Sequence, residues 1–97
     1  MSNLTVRETK TEVTFHLKDA PPLTGQNVMI TPMKVVLVTF AGMPDRAKER
    51  SYVEVTGPMR HGNLQHRSIK YNIYGVTSKP HIRTAPVWLR EMVGYAD

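Results

Sequence analysis

The residues of this 97-residue chain best suited to chemistry are its histidines and a run of arginines and lysines. From Val55 to Arg90 there are six Lys/Arg (Arg60, Arg67, Lys70, Lys79, Arg83, Arg90) and no Asp or Glu. His61, His66 and His81 lie in the same window. Guanidinium groups can fork onto phosphates or carboxylates, so this stretch is suited to an anionic partner. The contact set is Arg60, His61, His66, Arg67, Lys70, Lys79 and Arg83, with Tyr71 and Tyr74 as stacking surfaces wherever one faces out. The same charges have a second reading, because a charged hairpin tip also keeps a sheet dispersed and discourages edge pairing.

Other chemistries are less well served. Ser2, Ser51, Ser68 and Ser78 sit in no Gly-x-Ser-x-Gly setting. The eight acids read as solvated neighbours of lysines and arginines rather than as an acid/base pair. No glycine-rich run could cradle a phosphate. His61 and His66, with His16 or His81, could form a three-histidine metal site, but Arg60 and Arg67 beside them would repel a cation. The expectation is therefore a non-enzymatic protein with no catalytic residues, metal or cofactor.

The formal charge is +5, and it is unevenly placed. Residues 1–54 hold seven Lys/Arg and six Asp/Glu, so the excess belongs to the second half. A balance of this kind favours acidic macromolecules, either protein or nucleic acid. There are no cysteines, which rules out a disulfide framework and suits a reducing compartment. The stretch MSNLTVRETK has no apolar signal region, and no apolar run is long enough to span a bilayer. A cytoplasmic protein without membrane association is expected.

Positioning the cationic residues requires a sheet. Val13, Phe15 and Leu17 alternate with Thr14, His16 and Lys18, which predicts a half-buried strand over 12–18, ended by Pro21-Pro22. Residues 23–27 read as a loop and 28–30 as a short extended piece. MKVVLVTFA, residues 33–41, is apolar on both faces and β-branched, so it is the predicted central strand. Residues 42–50 read as a charged connection. Strands over 51–59 and 64–76 follow, joined by a turn at His61-Gly62-Asn63, with Gly57-Pro58 marking a bulge or an edge. Residues 77–85 read as a polar loop.

The one helix is predicted over 86–95, capped by Thr84 or Ala85, with Trp88, Leu89, Met92 and Val93 on one stripe and Gly94 at its end. Ten residues cannot hold a helix alone in water, so it must dock on the sheet. The fold expected is one α+β domain over 1–97, with 1–10 ragged. An antiparallel sheet of four to five strands is packed by the C-terminal helix, or is curled into a small barrel closed by it. Met29, Met33, Met43, Met59 and Met92 are read as core filling, with an adaptable contact surface as the alternative. An uncovered apolar sheet face would call for a homodimer.

Residues 50–95 resemble small proteins of actinobacteria and their phages. The resemblance lies in Val53-Glu54-Val55-Thr56-Gly57-Pro58, the basic hairpin and aromatic strand after it, and the proline-led helix Pro86-Val87-Trp88-Leu89-Arg90-Glu91-Met92-Val93. It implies a small accessory protein and carries no activity or site residue with it. The function expected is a binding module acting through its basic hairpin. DNA or RNA binding through Arg60, Arg67, Lys70, Lys79 and Arg83 is one alternative, and a homo-oligomeric structural or interaction protein is the other.

Overall fold

The structure is a computed structural model, and it describes residues 8–42, 51–60, 65–73 and 80–95. In chain order its elements are β1 (Glu8–His16), β2 (Leu23–Gly25), β3 (Val28–Ile30), β4 (Lys34–Gly42), β5 (Tyr52–Pro58), β6 (His66–Asn72), a 3-10 turn (Ile82–Thr84) and α1 (Val87–Met92). Four strands form an antiparallel sheet in the order β1-β4-β5-β6, and β2 pairs with β3 in a small second sheet. The arrangement is α+β and does not close into a barrel. The apolar segment 33–41 does supply the interior strand, β4.

Register sets the two faces. Val13, Leu37, Val53 and Tyr71 stand in one row, and Phe15, Val35, Val55 and Ile69 in the next. These rows make the inner face. It is covered by Leu23 and Ile30 from the β2–β3 hairpin, by Ile82 and Ala85, and by Leu89 of α1. Val35, Val53, Val55, Ile69, Ile82 and Leu89 are fully buried. Burying a leucine such as Leu89 is worth about 2–3 kcal/mol, more than a helix this short could supply from its own backbone. These residues cover the middle of the apolar face, while Val13 at its β1 edge stays 42% exposed.

The helix is shorter than its sequence pattern. Pro86 is the N-cap and makes no side-chain cap bond, so neither Thr84 nor Ala85 takes that role. Gly94 has φ +75, and the amides of Gly94 and Tyr95 donate back to the carbonyls of Glu91 and Arg90. This is a glycine-closed helix end. Trp88, Met92 and Val93 pack partly buried against the core.

Two stretches read as loops have more structure than that. Residues 23–30 form a hairpin whose two-residue turn places Gln26 (φ 50) and Asn27 (φ 65) in the left-handed region. That is the turn type whose twist suits a hairpin, though glycine more often fills its second position. In the segment read as a polar loop, Ile82 and Ala85 enter the core.

The chain from β3 to β4 runs beside β5 and bends at Thr31-Pro32. The amides of Thr31 and Met33 donate to the carbonyls of Pro58 and Thr56. Met33 and Lys34 both face Thr56, which is a β-bulge. Past it Met33 is 51% exposed, so neither it nor Met29 is core filling. Gly57 lies under the bend: a Cβ there would collide with the Thr31 carbonyl and stand 3.2 Å from Pro32 Cα.

At the far end, β1 and β4 outrun the sheet. β4 pairs with β5 only as far as Val38↔Tyr52, whereas β1 and β4 continue to Glu8↔Gly42. This leaves a two-stranded ribbon of roughly 13 Å. The body is elongated, 59 × 27 × 24 Å.

Candidate functional site

The expected contact residues are dispersed along β6 and its flanks. Arg60 follows β5, while His66 and Arg67 open β6 directly opposite Pro58 and Gly57. All three are exposed. The Arg67 guanidinium donates to Gln65 Oε1 at 3.4 Å. Neither Arg60 nor Arg67 forms an ion pair among the described residues. His61, Lys79 and Tyr74 lie outside the described residues.

Lys70 and Arg83 stand apart from that group. Lys70 reaches Glu54 Oε2 at 3.6 Å and lies 5.2 Å from the centre of the Tyr52 ring. An exposed pair like this is worth under about 1 kcal/mol, but it occupies the ammonium group. Arg83 sits in the 3-10 turn, which is tied to the other end of β6 by the Asn72↔His81 bridge. From His66 to that point is roughly 20 Å of strand. Tyr71 turns inward and is only 5% exposed, so it offers no stacking surface. Burial raises its phenol pKa.

Register brings in His16 and Lys34, which the sequence did not place in the contact set. On the outer face His16, Lys34, Thr56 and Ser68 form one row across all four strands. Adjacent strands lie about 4.8 Å apart, so the row is roughly 14 Å long. His16, Lys34 and Ser68 are exposed, and the hydroxyls of Thr56 and Ser68 bond at 3.1 Å. Lys18 follows just past the end of β1, beside Asp19. Towards this end of the sheet lie Lys18, Lys34, Arg60 and Arg67 with His16 and His66, while Asp19 follows Lys18 and Glu54, paired with Lys70, stands two residues from Thr56 on the outer face. Strand alternation could have flagged His16 and Lys34 as outward-facing. Only the pairing sets Lys34 against β5 of the hairpin and His16 in the same row one strand further out.

Ser51 is fully buried and structural. Its hydroxyl accepts from the Phe40 amide at 3.0 Å, where the β4–β5 ladder stops, and its carbonyl accepts from the Ile73 amide. His66 and His81 lie near opposite ends of β6, and His81 instead caps the 3-10 turn, its Nδ1 accepting from the Arg83 amide at 3.1 Å. Among the described residues no three His, Cys, Asp or Glu gather where they could hold a metal. No helix among them is long and apolar enough to cross a membrane.

An open cleft of about 380 Å³ lies between the inner face of β4 and the end of α1, lined by Leu37, Thr39, Ile73, Ile82, Val93 and Tyr95 together with Gly94. Its described lining supplies two hydroxyls, from Thr39 and Tyr95, and no carboxylate, imidazole or amine. It could hold a small apolar group. No family model, curated protein or solved structure matches the chain.

Proposed function

We propose that this protein is a non-enzymatic binding module whose cationic sheet end contacts an anionic macromolecule. The observation that carries this reading is the register. It brings Lys34 and His16 to the same end of the sheet as the hairpin residues Arg60, His66 and Arg67, with Arg67 turned to the face opposite Ser68, so this end collects cations from both halves of the chain. The side chains of Lys34, Arg60 and Arg67 are exposed, so little desolvation opposes contact. Nucleic acid is the first partner to test. The residues favoured for it are Arg60, Arg67 and Lys34, with Lys70 held by Glu54 and Arg83 outlying. The resemblance of residues 50–95 to small proteins of actinobacteria and their phages supports an accessory role in the cytoplasm.

The test is a salt-titrated binding assay against mixed-sequence DNA and RNA, with wild type and the double variant Arg60→Gln/Arg67→Gln. Affinity should fall with salt, and the double variant should bind more weakly with a slope shallower by about one to two. Binding indifferent to salt, or unchanged in the variant, overturns the nucleic-acid form. An acidic protein face is then the remaining partner for the same surface.

A further inference from the structure

We infer that the outer edge of β1 pairs with β1 of a second copy, antiparallel about Thr11, to make one continuous sheet. This does not depend on the cationic end. The two edges of the sheet are treated differently. At the β6 edge the Gln26 carboxamide takes both backbone groups of Lys70, donating to its carbonyl at 2.8 Å and accepting from its amide at 3.3 Å. Further along, the Asn72 amide donates to the Pro80 carbonyl. The β1 edge has no such cover among the described residues. Thr9 to Thr14 are exposed, including Val13 at 42%.

The phase of the ladder says which groups are on offer. The Leu17 amide donates to the Met33 carbonyl, so by alternation the odd residues of β1 aim their backbone groups at β4. The even residues, Lys10, Glu12 and Thr14, aim theirs outward. A two-fold axis at Thr11 puts Lys10 opposite Glu12 of the second copy and Glu12 opposite its Lys10. Each is a pair whose backbone groups meet. Within one chain Lys10 Nζ already lies 3.2 Å from Glu12 Oε1. Pairing extends this into a square of alternating charge on the outer face. On the inner face Val13 meets Thr9 of the second copy. Edge strands that avoid partners carry charged side chains, bulges or prolines. This one is regular, and its charges complement themselves.

The experiment is light scattering or sedimentation of the full chain over a concentration series. Wild type should dimerise. Lys10→Glu and Glu12→Lys each set like charges opposite one another at both symmetric positions and should weaken the dimer about tenfold or more. The double swap Lys10→Glu/Glu12→Lys should restore it, and an equimolar mixture of the two single variants should form heterodimers. Circular dichroism of each variant confirms that these surface changes leave the fold intact. A wild type that stays monomeric to about 1 mM overturns the pairing. So do single variants that dimerise like wild type, or a double swap that fails to restore association.

Discussion

At Gly57 the backbone of another segment occupies the place of a side chain. The Thr31-Pro32 bend lies across it, so Gly57→Ala must push main chain against main chain. Pro32 is itself fully buried there, which leaves the bend little room to move. Overpacking of this kind costs about 1–3 kcal/mol, and backbone gives less readily than side chains. We expect a loss of about 2 kcal/mol or more, read by urea denaturation. Stability within about 0.5 kcal/mol of wild type would show that the bend yields. Tyr71 carries a different prediction. Its folded pKa is raised because burial disfavours the phenolate. The neutral form's contribution to stability is complete below the ordinary phenol pKa near 10 and is lost as pH rises through the higher folded value. Tyr71→Phe should therefore keep its stability at neutral pH and withstand alkali better. Alkaline unfolding followed by circular dichroism checks this, and identical alkaline midpoints would count against it.

Among the elements, the β2–β3 hairpin does most to define the core beyond the sheet. It lays Leu23 and Ile30 on the inner face and brings Gly25 over Ile69, where an added Cβ would stand 2.9 Å from Ile69 Cγ2. Its turn holds Gln26 at positive φ, which is costly for a residue with a Cβ. The two bonds to Lys70 offset that cost and cap the β6 edge. Gln26→Ala keeps the strained backbone and removes the clamp. It should cost about 1 kcal/mol and speed hydrogen exchange at the Lys70 amide. Unchanged protection at that amide would mean that the hairpin is held by its apolar contacts alone.

For the whole molecule, the arrangement separates a cationic end from a two-stranded ribbon at the opposite end of β4. Lys34 separates a hairpin-only contact from one that spans the sheet. Lys34→Gln should weaken polyanion binding and lower the salt slope by about one, as either arginine change does. A variant that binds like wild type would confine the contact to the β5–β6 hairpin.

Much of this was legible in the chain itself. Alternation marked the strands read at 12–18, 51–59 and 64–76, which the structure bounds as Glu8–His16, Tyr52–Pro58 and His66–Asn72, because a sheet with one buried face requires period two. The doubly apolar, β-branched run marked the interior strand, since a strand in the middle of a sheet has more of both its faces buried than one at the edge. The stripe Trp88-Leu89-Met92-Val93 and Gly94 marked the helix and its end. The tertiary structure decided the rest. Gln26-Asn27 is an uncommon choice for a hairpin turn, and Ile82 is one apolar residue in a polar stretch, so neither carries a periodic signal. Lys34 joins the cationic end through strand pairing across 22 positions to Thr56. Periodicity reports which side of a strand a residue faces. Which other strand lies beside it depends on long-range contacts, and these form only when the chain packs.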